Sequence, residues 1–220
     1  MAKINLGLDV LGKREDGYHE VRMIMQTIRM YDILDIRKTR RPGIVLTTNL
    51  PFIPTDQRNL VYKAAQMLME EFDVEEGLSI KLRKFIPVAA GMAGGSSDAA
   101  AAFVGVNRMF HLGLTEEQLM ERAVKVGADV PYCIMRGTAL AEGIGEKLTR
   151  LPEVPKCYVL IGKPGINVST KTAYENLNLE GIKNIRTSMD SSELSEIMIC
   201  MPWHPEWRMY LNRGSSDSIL

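Results

Sequence analysis

The chain has 220 residues, 45% of them hydrophobic, which is enough for one large globular domain or one and a half ordinary ones with a buried core. Lysine plus arginine and aspartate plus glutamate balance at 27 each, so there is no basic field to attract nucleic acid or an anionic membrane. Cys133, Cys157 and Cys200 are odd in number and far apart, with neither CxxC metal spacing nor a dense disulfide pattern, which suits a reducing cytoplasm. No signal peptide opens the chain and no apolar run approaches the roughly 20 residues of a membrane span, so a soluble cytoplasmic protein, monomer or homodimer, is expected.

Residues 2–10 alternate Ile4, Leu6, Leu8 and Val10 with Lys3, Asn5, Gly7 and Asp9, which predicts a strand with one buried side. Lys3 and Asn5 point the same way, either as an ordinary solvated face or towards one pocket. Arg14–Gly17 reads as a turn and a second strand follows from Tyr18 through Ile28, making a hairpin. Strands are expected again at 31–36 and 44–47, separated by a turn with Pro42-Gly43 whose Lys38, Arg40 and Arg41 are solvated charges. From Asn59, the spacing of Leu60, Val61, Ala64, Leu68, Met69 and Phe72 predicts a helix of about four turns. Ser79–Lys84 is a further short strand.

That strand leads into Ile86–Phe103, the stretch the rest of the chain serves. Only small residues and Met92 occupy 89–97, so the backbone there can approach a ligand closely and take positive φ at Gly91, Gly94 or Gly95. Ser96-Ser97-Asp98 followed by four alanines reads as an N-cap and a helix. A glycine loop running into a helix N-terminus is an anion site, and a phosphate chain fits it best, although a tight structural turn has the same composition. The loop is neither the Gly-Lys-Ser/Thr nucleotide loop nor the Gly-x-Gly-x-x-Gly dinucleotide fingerprint.

Thr115-Glu116-Glu117-Gln118 is a capping box for a helix through Val126. Gly127-Ala128-Asp129-Val130-Pro131 ends that helix and leaves Asp129 on a turn, where an aspartate ordinarily makes local hydrogen bonds. Pro152 and Pro155 mark a domain boundary, giving domains 1–150 and 151–220, and Cys157–Ile161 reads as an apolar strand opening the second. Beyond it, Lys163–Thr170 leads into a short helix with Tyr174.

The loop resembles the phosphate loop of the GHMP kinases, Pro-x-x-x-Gly-Leu-Gly-Ser-Ser-Ala-Ala. Pro87, Gly91, Met92, Ala93, Ser96, Ser97, Ala99 and Ala100 fall on that pattern with one extra glycine. The extra glycine and Asp98, together with Ala2-Lys3-Ile4-Asn5-Leu6, Asp16-Gly17-Tyr18-His19 and Gly127–Pro131, look specifically like the 4-diphosphocytidyl-2-C-methyl-D-erythritol kinases of the non-mevalonate isoprenoid pathway. The resemblance implies an α+β, two-domain GHMP kinase fold: a ribosomal protein S5 domain 2-like N-terminal domain and an incomplete ferredoxin-like C-terminal one. It also implies ATP and Mg²⁺, and phosphoryl transfer to the 2-hydroxyl of a cytidine diphosphate-linked methylerythritol. Carried over residue by residue, Lys3 and Asp129 are catalytic, and Pro87, Val88, Ala89, Ala90, Gly91, Met92, Ala93, Gly94, Gly95, Ser96, Ser97 and Asn59 bind ATP. Asn5, Tyr18, His19, Thr170 and Tyr174 bind the substrate, with the two tyrosines stacking on its base. No residue identifies itself as a Mg²⁺ ligand.

The motifs of the resemblance reach about residue 183. Residues 199–220 hold both tryptophans without a clear period, and the family's third glycine-rich motif is not found. A frameshift or early stop is the expectation for that end, and the alternatives are a nucleotide-binding remnant without turnover or a GHMP kinase for another small alcohol.

Overall fold

A computed structural model describes residues 1–162 of the chain. Its elements run β1 (Lys3–Lys13), β2 (His19–Thr27), β3 (Ile33–Thr39), β4 (Ile44–Thr48), α1 (Leu60–Glu71), β5 (Gly77–Arg83), α2 (Gly94–Met109), α3 (Glu116–Ala123), α4 (Val130–Met135), β6 (Thr138–Gly143) and β7 (Lys147–Arg150). The predicted hairpin is β1 and β2, with Lys3 opposite Thr27 and Lys13 opposite His19. β6 pairs with the free edge of β2 and β7 with β6, completing an antiparallel sheet in the order β1-β2-β6-β7. The second sheet has the order β3-β5-β4, with β5 antiparallel to β3 and parallel to β4. The parallel pair needs a crossover, and α1 supplies it.

The main core lies between the sheets and the helices. Val21, Met23 and Met25 alternate into it from β2, Ala139 and Ala141 from β6, and Leu78, Ile80 and Leu82 from β5. Ile4, Leu6 and Ile24 face the other side of the four-stranded sheet, where Leu151, Val154 and Val159 pack on them. The simple alternation expected of β1 does not hold along its length: Lys3 is buried and Leu8 is exposed. Register shifts between Asn5 and Gly7 and between Val10 and Gly12 put extra residues into β1, and each such bulge re-aims the side chains beyond it.

α1 starts where the sequence places it. Asn59 is its N-cap: Oδ1 accepts from the Val61 amide at 2.9 Å while Nδ2 donates to the Pro54 carbonyl at 2.7 Å. α3 carries the full capping box between Thr115 and Gln118. Two expectations need correction. Pro131 does not stop a helix; it sits in the first turn of α4, where its missing N–H has no helical partner to lose. Cys157–Ile161 is not a strand, because residues 151–162 make no ladder; Val159 alone of that run packs inward, and Tyr158 and Leu160 are fully exposed.

A buried ionic cluster joins β3, β5 and α2. Lys84, just past β5, donates to Asp32 Oδ2 and to Asp98 Oδ2, the latter at 2.7 Å, and all three side chains are at most 4% exposed. Asp32 Oδ1 also accepts from the Phe85 and Ile86 amides. Asp98 Oδ1, equally buried, has no partner among the described residues. Burial first, with Asp32 adding to it and Lys84 opposing, holds the Asp98 carboxyl up at about 7. Asp32 is desolvated too, but its hydrogen bonds to Lys84, Phe85 and Ile86 outweigh that and keep it below its ordinary value.

Two outcomes follow for stability. Folded Asp98 binds a proton that the unfolded chain, titrating near about 4, releases, so unfolding free energy falls as pH rises from about 4 to about 7. Asp98→Asn should flatten that slope in urea titrations at successive pH values, and an unchanged slope would place its origin elsewhere. Asn59→Ala removes the cap of α1 and should cost about 1–2 kcal/mol in the same titrations.

Candidate functional site

The anion loop is built differently from the sequence expectation. α2 begins at Gly94, so Ser96, Ser97 and Asp98 lie inside the helix and do not cap it. The residue before it, Ala93, is left-handed at φ 53° and supplies no capping hydrogen bond. The first amides of an α-helix have no helical acceptors, and among the described residues no capping side chain satisfies them in their place. Positive φ occurs at Ala89 (53°), Gly91 (69°) and Ala93, not at Gly94 or Gly95, which are helical. Positive φ thus recurs at every second residue from 89 to 93, and such alternation in the sign of φ turns the chain sharply and exposes its amides to a ligand. The left-handed alanines are strained, which a site that must aim its amides can store.

Gly94 is therefore needed for its smallness and not for positive φ. A Cβ on Gly94 would lie 3.1 Å from both the Lys84 ammonium and Ile86 Cγ2, whereas one on Gly95 would make ordinary contact with Leu60. Met92 anchors the loop from below: it is 3% exposed, packs with Ala2 and Ile86, and its carbonyl accepts from the Lys3 amide at 3.1 Å. Ser97 Oγ accepts from the Met1 ammonium at 2.6 Å. Pro87, Ala90 and Ser96 are half-buried, and Val88, Ala89 and Gly91 are exposed at the loop surface.

The backbone bond from Lys3 to Met92 sets the start of β1 beside the loop, and α4 brings Asp129 to the same place. Lys3 Nζ lies 3.9 Å from Asp129 Oδ2 and donates to Asn5 Oδ1 at 3.0 Å. The ammonium is 7% exposed and the carboxylate 33%, so the pair opens to solvent through Asp129. Asp129 stands at the N-cap of α4 yet makes no capping bond with its side chain, which leaves the carboxylate to face Lys3. Buried Tyr132 holds α4 there: its hydroxyl donates to the Gly137 carbonyl at 2.7 Å, which leaves the Thr27 hydroxyl to donate to it across 3.0 Å. Thr27 is the residue opposite Lys3 in the hairpin.

The structure thus gathers Lys3, Asn5, Asp129 and the loop. Tyr18, 60% exposed, and His19 sit at the other end of the hairpin, opposite Lys13 rather than Lys3. The side chain of Asn59 is committed to the Val61 amide and the Pro54 carbonyl. Thr170 and Tyr174 lie outside the described residues, as does the unusual C-terminal run. Sequence reasoning missed Asp32 and Lys84. The signal that was present is Asp98 itself, a carboxylate among Ala99, Ala100, Ala102 and Phe103 on the buried face of α2, which demands a cation.

Among the described residues, no three His, Cys, Asp or Glu side chains gather to hold a metal ion, and no helix is long and apolar enough to cross a membrane.

The GHMP kinases N terminal domain matches residues 59–137, from the cap of α1 to the turn after α4. A 4-diphosphocytidyl-2-C-methyl-D-erythritol kinase of Lachnospira eligens is 56% identical over 182 residues, 83% of this chain and 63% of the relative. One of Lachnoclostridium phytofermentans is 50% identical over an alignment taking in 93% of this chain and 76% of the relative, so likeness extends past the four fifths that the motifs carry. The chain spans just under two thirds of the length of several such relatives. A crystal structure of 4-(cytidine 5'-diphospho)-2C-methyl-D-erythritol kinase superposes with a TM-score of 0.69 at 33% identity, covering 81% of this chain and 63% of that one. Homoserine kinase from Cytophaga hutchinsonii, at 18% identity and a TM-score of 0.56, shares the fold. Motif, fold and sequence identity agree, and the chain belongs to the GHMP kinases, among the 4-diphosphocytidyl-2-C-methyl-D-erythritol kinases.

Proposed function

We propose that this chain carries the ATP-binding and catalytic part of a kinase that phosphorylates the 2-hydroxyl of 4-diphosphocytidyl-2-C-methyl-D-erythritol. The observation that carries the reading is the Lys3–Asp129 pair beside a helix N-terminus with no capping side chain. The loop 87–93 and the first amides of α2 hold the triphosphate, with Ser96 and Ser97 adding hydroxyl groups. Mg²⁺ arrives on the ATP as part of that substrate and keeps most of its water, so it needs no dedicated protein cage. Residues 1–150 act as the nucleotide domain, and residues from 151 onward contribute to the substrate side through Thr170 and Tyr174.

Phosphoryl transfer asks the protein mainly for position and charge. The acceptor oxygen attacks the γ-phosphorus as the bond to ADP breaks, and its proton goes to a base. Asp129 is that base: a carboxylate with no capping bond, one third exposed, held by α4. Lys3, beside that carboxylate, offsets charge on the group in flight. Asn5 accepts from Lys3 and so fixes where the ammonium points. The nucleotide end of an extended substrate lies along the hairpin towards Tyr18 and His19, where stacking on Tyr18 would contribute about 1–3 kcal/mol.

The test is ADP release on purified chain with Mg-ATP and the diphosphocytidyl methylerythritol, with mevalonate and homoserine as rival acceptors. Turnover with the cytidine compound alone is expected, and turnover with either rival would overturn the substrate assignment. Asp129→Asn should lower kcat by about 10²–10⁴-fold with ATP affinity retained. A variant with undiminished kcat would remove Asp129 from the role of base.

A further inference from the structure

Lys84 lies in no motif of the sequence, yet it occupies the one point where both ends of the anion loop meet. On the side where the loop starts, its own main chain is fixed: its amide donates to Asn49 Oδ1 at 2.7 Å and its carbonyl accepts from Asn49 Nδ2 at 3.1 Å. The next two amides, Phe85 and Ile86, end on Asp32, which Lys84 also grips. On the side where the loop finishes, the ammonium holds Asp98 in α2 and lies so close under Gly94 that a methyl group there would have to displace it.

Stability alone is a poor reason for such a cluster. One cation serves two carboxylates, so with both ionised the group carries a buried net negative charge, and Asp98 Oδ1 has no partner among the described residues. Apolar residues of similar volume would serve the core at least as well. What apolar residues cannot do is fix the direction of two backbone segments at once, or set a positive charge beneath the first turn of a helix whose amides must receive an anion.

We propose that Lys84 is a positioning residue of the anion loop. By bridging Asp32 and Asp98 beneath Gly94 it locks residues 87–93 between two fixed ends, and so sets where the amides of the loop and of α2 converge. It touches no ligand; it acts through the backbone that does. The inference rests on the proposed reading of this loop as the triphosphate site.

The test measures binding of ATP, inorganic tripolyphosphate and adenosine to the full chain and to Lys84→Met, which keeps the length of the side chain and removes its charge. Lys84→Met should weaken ATP and tripolyphosphate at least tenfold and leave adenosine within twofold. A purely structural role would weaken adenosine as much as ATP, and that outcome overturns the proposal, as does ATP affinity equal to that of the parent chain. Should two unpaired carboxylates prevent folding, Lys84→Met/Asp98→Asn removes one of them and must show the same selective loss. If the parent chain binds adenosine but neither ATP nor tripolyphosphate, the triphosphate reading itself fails and this inference falls with it. If the parent binds both and the variants do too, only the role of Lys84 is lost.

Discussion

An α-helix that starts without a capping side chain has amides that must find an acceptor outside it, and that constraint organises this molecule. α2 is the longest helix among the described residues, and it follows a loop of mostly small residues with positive φ at 89, 91 and 93. Everything near its first turn serves to hold it or to bring chemistry to it. The Lys84 cluster fixes it from inside, Met92 and the Lys3 amide fix the loop against β1, and Tyr132 holds α4 so that Asp129 faces Lys3. Two sheets with little direct relation in sequence are thereby joined at one anion-receptive point.

Local signals in the sequence were read well where they are self-contained. The Arg14–Gly17 turn, the apolar spacing that starts at Asn59 and the Thr115/Gln118 box each involve residues close in sequence, and each produces the expected element. The order β3-β5-β4 has no such signal, because which strand inserts between two others is settled by distant packing. α4 was hidden because a glycine followed by a proline four residues later serves equally as the end of one helix and the start of another. The start of α2 was misplaced for a related reason. Ser96 and Ser97 are good capping residues, but a helix that begins earlier exposes its amides, and an anion is a better acceptor for them than a hydroxyl.

The site was legible mainly through resemblance. Nothing in the spacing of Lys3 and Asp129, 126 positions apart, announces an ion pair; the hairpin and α4 create it. Asp32, Lys84 and Asp98 were harder still, since their partnership is wholly tertiary and only the carboxylate on the apolar face of α2 hinted at it. The His19 end of the hairpin lies eight pairing steps from the Lys3 end, which suits the proposed ligand, with a base at one end and the reacting hydroxyl at the other.

In the proposed reading, the triphosphate of ATP ends on the first amides of α2 with its γ-phosphorus between Lys3 and Asp129. The most direct measurement is a crystal structure of the chain with a non-hydrolysable ATP analogue. Phosphate oxygens are expected within hydrogen-bonding distance of amides in the loop and in Gly94–Ser96, and the γ-phosphate within reach of the Lys3 ammonium. A nucleotide seated away from α2, or one whose γ-phosphate points away from Lys3 and Asp129, would contradict it.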